Sequence, residues 1–129
     1  MGDGKKRLVL VEDDPHIVSL VTFVLRESPL EIESFDNGAA GLARLMDGPR
    51  PDVVLLDVML PEVNGLSILE AMKASPERRS VPVVVMSASS REGDRAGAEE
   101  RGCDAFVPKP FDFAELQRIL EELSGAASS

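Results

Sequence analysis

Three consecutive acids, Glu12, Asp13 and Asp14, a fourth acid Asp57, the hydroxyl of Ser87 and the amine of Lys109 each stand directly behind a short apolar run. The runs are Leu8 to Val11, Val53 to Leu56, Val83 to Met86 and Phe106 to Pro108. Clustered carboxylates bind hard divalent cations, and a carboxylate beside a metal and an ammonium group is a competent nucleophile toward phosphorus. If the runs are parallel strands of one open sheet, every one of these groups reaches its carboxyl edge, where such sheets bind ligands. Close carboxylates repel by about 4 kcal/mol per pair at an effective dielectric near 20, so the cluster requires a cation. Magnesium suits it, because it takes few carboxylates, keeps several waters and leaves room for a phosphoryl oxygen.

The elements that must position these groups follow from the apolar spacing. Arg7 to Val11 predicts a strand, after which Asp14 caps and Pro15 opens a helix with the apolar face Ile17, Leu20, Val21 and Val24. Ser28-Pro29 ends that helix. Leu30 to Phe35 predicts a second strand, and Asp36-Asn37-Gly38 leads into a helix carrying Leu42, Leu45 and Met46 that stops at Gly48-Pro49. Asp52 to Asp57 predicts a third strand buried on both faces, followed by the turn signal Asn64-Gly65 and a helix with Leu66, Leu69 and Met72. Val81 to Met86 is the fourth strand. From Ser89 to Gly102 the only apolar side chains are Ala96 and Ala98, and Gly93 and Gly97 each cost about 1 kcal/mol against Ala, so this fourth helix is expected to be the least firmly packed. Asp104 to Pro108 is the fifth strand, at an edge because Pro108 lacks an N–H. Phe113, Leu116, Leu120 and Leu123 trace a last amphipathic helix. Strict alternation of five strands and five helices predicts an α/β doubly wound, three-layer (βα)5 sandwich with right-handed crossovers.

At 129 residues the chain suffices for one domain with a proper core. Lys and Arg number 14 against 23 Asp and Glu, a formal charge of -9, and no stretch concentrates basic residues, which disfavours direct nucleic-acid binding. A single cysteine, Cys103, excludes an internal disulfide and has no spaced Cys or His companions for zinc, so it is read as a small packing residue in a reduced, cytoplasmic setting. No run approaches the roughly 18 apolar residues of a membrane span. The lone histidine, His16, lies beside acids in the first turn of a helix and is read as a solvated side chain.

Val-Glu-Asp-Asp at 11–14, Leu-Leu-Asp-Val-Met-Leu-Pro at 55–61 with Asn64-Gly65, Met-Ser-Ala at 86–88 and Lys-Pro-Phe at 109–111 together resemble the receiver domain of two-component response regulators, over essentially the whole chain. The resemblance implies a flavodoxin-like parallel sheet of order 2-1-3-4-5. It implies a receiver domain at residues 1–124, with 125–129 a flexible tail or linker stub. Asp57 becomes the phospho-acceptor, Asp13 a direct magnesium ligand, Glu12 a ligand acting through water, and the Met59 backbone carbonyl a further ligand. Lys109 pairs with the carboxylates at rest and with the phosphoryl group afterwards. The Ser87 hydroxyl bonds a phosphoryl oxygen and draws its loop inward. Phe106 occupies the place of an aromatic that turns inward with that loop, although a Phe there suits the core equally well. Asp14 remains a helix cap. The implied partners are a sensor histidine kinase or histidine phosphotransfer protein, and an output partner or second copy at the face of helix four, strand five and helix five.

Two other functions compete. A magnesium-dependent phosphohydrolase of the haloacid-dehalogenase type would place its nucleophile on the first strand, two residues before a second acid, beneath a cap; here the first strand ends in Glu-Asp-Asp and the chain leaves no room for a cap. A receiver-like module that binds without phosphorylation would not need the acids, hydroxyl and lysine that are all present. A flavin carrier fails because its phosphate loop should be rich in Ser, Thr and Gly where this one is acidic.

Overall fold

The computed structural model describes residues 5–88 and 92–126. Five strands alternate with five helices: β1 (Lys6–Val11), α1 (Pro15–Val24), β2 (Leu30–Phe35), α2 (Gly38–Asp47), β3 (Val53–Asp57), α3 (Gly65–Ala74), β4 (Val83–Ser87), α4 (Glu92–Glu100), β5 (Ala105–Pro108) and α5 (Phe113–Ser124). All pairings are parallel, in the order β2-β1-β3-β4-β5. The three central strands are continuous aliphatic runs because helices cover both of their faces. Leu8, Leu10, Leu55, Val84 and Met86 turn to α1 and α5, packing on Val21, Val24, Leu116 and Leu120. Val9, Val11, Val54, Leu56, Val83 and Val85 turn to the other side, against Leu45, Ile68, Leu69, Met72 and Ala98 of α2, α3 and α4. β2 and β5 form the edges, so Pro108 sits on an edge strand as its missing N–H requires.

Polar caps start α1, α2, α3 and α5 at the carboxyl edge. The side chains of Asp14, Asn37, Asn64 and Asp112 accept from the amides of His16, Ala40, Leu66 and Glu115 at 2.9, 2.8, 2.7 and 2.9 Å. Asp14 is thus a cap, as expected, and His16 is exposed. At its far end α5 stops at Gly125, whose φ of 79° is the left-handed conformation that favours glycine. The expected tail begins with two residues that are held: the amide of Ala126 bonds the Glu121 carbonyl at 3.0 Å and its side chain is buried. Residues 127–129 lie outside the described ones.

Several expectations change in detail. Leu20 is 38 % exposed, because the packed stripe of α1 runs through Ile17, Val21, Val24 and Leu25, whose centre lies about 85° around the helix from Leu20. Phe113, 46 % exposed, leaves the α5 stripe and tilts against Phe111, with ring centroids 6.0 Å apart. β4 begins at Val83 and extends to Ser87, so the serine belongs to the strand instead of following it. Within α4 only Ala98 of the two expected anchors is buried, and Ala96 is exposed. The segment 89–91, expected to open that helix, lies outside the described residues.

Candidate functional site

Pairing of β1 with β3 brings Val11 level with Leu56, so Glu12 and Asp57 emerge side by side at the carboxyl edge. Both are almost fully buried. Lys109 comes from two strands beyond Asp57, and its backbone is anchored where its amide donates to the Ser87 carbonyl at 2.9 Å. Strands lie about 4.8 Å apart, so only a long side chain spans that gap. The Lys109 ammonium reaches Glu12 Oε1 at 2.7 Å and Asp57 Oδ2 at 3.4 Å. Asp13 is exposed, yet it, Glu12 and Asp57 each offer a carboxylate oxygen within 4.8 Å of the others. Three hard oxygen donors that converge in this way fit a divalent cation such as magnesium.

The backbone around Asp57 is tightly packed. The Gly65 amide donates to the Val58 carbonyl at 2.9 Å, and a Cβ at Gly65 would lie 2.0 Å from the Asp57 carbonyl oxygen, so only glycine lets α3 start this close to the acid. One Asp57 oxygen accepts from the Met59 amide at 3.4 Å, and Glu12 accepts from the Asp14 amide at 3.0 Å. The Met59 side chain is exposed at the mouth of the site. An open cleft of about 490 Å³, lined by Glu12, Asp13, Pro15, Val18, Ser19 and Asp36, gives access from the α1 side.

Burial dominates the electrostatics. It pushes the carboxyls of both Glu12 and Asp57 above their ordinary values, against the opposing pull of Lys109. Burial alone would lower Lys109, but its hydrogen bond to Glu12 and the charges of Asp57 and Glu12 outweigh it, and the ammonium is held charged. The pocket is therefore an acidic cleft that holds, among the described residues, the Lys109 cation, and its protonation states depend on what else binds. At Cys103, burial first and then Glu99 and Asp104 push the thiol up, which keeps it protonated and unreactive, as a packing residue should be.

Five of the expected site residues, Glu12, Asp13, Asp57, Met59 and Lys109, thus share one neighbourhood. Ser87 ends the adjacent strand, fully buried, but its hydroxyl donates to Asp94 Oδ2 of α4 at 3.1 Å. Phe106 packs on the core side shared with α2, α3 and α4, and the Arg95 guanidinium carbon lies 4.9 Å from the centre of its ring. Sequence reasoning missed Asp94 and Arg95. Both lie in a polar helical stretch whose residues carry no apolar rhythm to single them out, and only their contacts across the fold reveal them.

Known proteins resemble this chain in sequence and in fold. The response regulator receiver domain family matches residues 8–121. The phosphate regulon transcriptional regulatory protein PhoB of Escherichia coli is 36 % identical over 114 residues, covering 86 % of this chain and 48 % of PhoB. The DNA-binding response regulator MtrA of Mycolicibacterium smegmatis is 34 % identical over 116 residues, or 90 % of this chain and 49 % of MtrA. The chain spans about half the length of these relatives. Among solved structures, the Mn(2+)-bound form of response regulator Rcp1 superposes with a TM-score of 0.84 at 28 % identity, covering 95 % of this chain and 97 % of that one. The receiver domain of sensor histidine kinase PA1611 from Pseudomonas aeruginosa PAO1, with magnesium coordinated in its active-site cleft, gives 0.83 at 30 % identity, covering 94 % and 98 %. Family match, sheet order and acidic cleft agree, and the chain belongs to the response regulator receiver domains, the signalling domains of two-component systems.

Proposed function

We propose that this domain accepts a phosphoryl group on Asp57 from a phosphohistidine of a sensor histidine kinase or histidine phosphotransfer protein, and that the product switches a partner-binding face. The observation that carries this is the placement of Asp57: buried at the end of β3, 3.4 Å from the Lys109 ammonium, with Glu12 and Asp13 oxygens within 4.8 Å. An Asp57 oxygen forms the new P–O bond as the P–N bond of the donor breaks, and the electron pair stays on the imidazole nitrogen. Lys109 leaves its carboxylate partners to hold a phosphoryl oxygen. Asp13, Asp57 and the Met59 carbonyl, with Glu12 acting through water, would hold magnesium, which would supply neutralisation of charge on the phosphoryl oxygens. Neighbours described as Mn(2+)-bound and magnesium-coordinated support this assignment.

Ser87 then donates to the phosphoryl group, and Phe106 follows the loop. The face of α4, β5 and α5 serves an output partner or a second copy, with α4 the element that yields because Ala98 is its one fully buried side chain among those described. The domain catalyses its own phosphorylation and the hydrolysis of its aspartyl phosphate, and turns over no substrate in trans. Its charge of -9 supports a role that does not contact nucleic acid directly, and no helix among the described residues is long and apolar enough to cross a membrane. A cytoplasmic setting fits the lone reduced cysteine. The test is labelling with acetyl phosphate and magnesium, read by mass spectrometry. One acid-stable, base-labile phosphoryl group is expected on Asp57, and an Asp57→Asn variant labelled as well as the parent would overturn the assignment.

A further inference from the structure

We infer that Asp94 is a positioning residue that occupies the Ser87 hydroxyl in the resting domain and thereby sets how readily the pocket accepts a phosphoryl group, an inference that rests on Asp57 being the acceptor. The hydroxyl of Ser87 has one proton to donate, and Asp94 Oδ2, 3.1 Å away, can only accept it. A phosphoryl oxygen is also only an acceptor. The two therefore compete for the same proton, and the bond to Asp94 must break before Ser87 can donate to the phosphoryl group. The hold is charge-assisted, which makes it stronger than a bond to a neutral acceptor. Asp94 sits on α4, where Ala98 is the one fully buried side chain among those described, so its departure disturbs little packing. The next residue, Arg95, lies over Phe106, so a single turn of α4 touches both residues proposed to move on phosphorylation.

Affinity for beryllofluoride, a phosphoryl mimic, measured with magnesium by fluorine NMR, tests this. Asp94→Ala should bind about tenfold more tightly than the parent, or ~1.4 kcal/mol. Asp94→Asn should fall between them, since its amide oxygen still accepts without charge, and it carries the test if the alanine variant does not fold. In a Ser87→Ala background the Asp94 substitution should change affinity by less than about twofold, because no hydroxyl remains to compete for. Unchanged affinity in both Asp94 variants would overturn the inference. So would an equal gain in the Ser87→Ala background, which would reduce Asp94 to plain repulsion of the anion. If the parent fails to bind beryllofluoride, or Asp57→Asn binds it equally, the acceptor assignment itself fails and the inference falls with it.

Discussion

Replacing Lys109 with Met removes the cation paired with both buried acids while keeping an apolar stem of similar length. At an effective dielectric near 20, its contacts of 2.7 Å to Glu12 and 3.4 Å to Asp57 correspond to attractions of about 6 and about 5 kcal/mol. Burying the ammonium offsets several kcal/mol of that, and removing one partner of a buried pair leaves a net loss of about 3–5 kcal/mol. Against a typical domain stability of about 5–15 kcal/mol, the variant should fold but unfold at a urea concentration lower by about 2 M. The deficit should also depend on pH. Burial already raises Glu12 and Asp57 above their ordinary values of 4.5 and 3.8, and Lys109 holds that rise back. Without it both rise further. A carboxyl with a folded pKa above its unfolded one binds its proton more tightly when folded, so it adds stability below the unfolded value and loses that contribution as pH climbs through the folded one. The deficit should therefore be largest near about pH 7.5 and shrink toward about pH 4.5. Far-UV circular dichroism is the readout, because the chain has no Trp and no Tyr. Millimolar magnesium should recover part of the loss at the higher pH by binding the folded state. A deficit under about 1 kcal/mol near pH 7.5, or one equal at both pH values, would refute the electrostatic argument.

Gly65→Ala drives a Cβ to 2.0 Å from the Asp57 carbonyl oxygen, so it should destabilise the domain by about 3 kcal/mol and slow acetyl phosphate labelling; a thermal melt matching the parent would show that the close approach relaxes freely. Magnesium affinity by calorimetry should weaken as pH falls through the raised range of Glu12 and Asp57, with more protons released per ion bound at the lower pH. Undiminished binding in an Asp13→Ala, Asp57→Ala double variant would place the metal elsewhere. Hydrogen exchange with and without beryllofluoride should change most in α4 and β5, and changes concentrated in α1 or α2 would refute the proposed route of the switch.

Much of the fold was legible because its determinants are local. A central strand buried on both faces has to be aliphatic throughout, and Leu8 to Val11, Val53 to Leu56 and Val83 to Met86 advertise this in four-residue runs. The caps Asp14 and Asn64 act on amides two residues away, so they too can be read from neighbours in the chain. Leu20 and Phe113 escaped that logic. Both are apolar and correctly helical, but Leu20 lies at the margin of the α1 stripe and Phe113 packs on Phe111 outside the α5 stripe, and which margin a neighbouring element covers is decided by packing.

The sequence by itself determined which groups stand at the carboxyl edge, because an acid, hydroxyl or amine behind a buried strand has no other place to emerge. It also determined that α4 would be weakly anchored, since a helix with two alanines for its apolar side chains has little surface to bury. Strand order was accessible only through family resemblance. What only the tertiary structure decided is which partner each group takes: Lys109 lies closer to Glu12, 97 residues away, than to Asp57, and the Ser87 hydroxyl is taken by Asp94 of a polar helix. The physical reason is range. Burial and capping are set within a few residues along the chain, whereas a hydrogen bond is chosen over a few ångströms of space, among groups that only packing brings together.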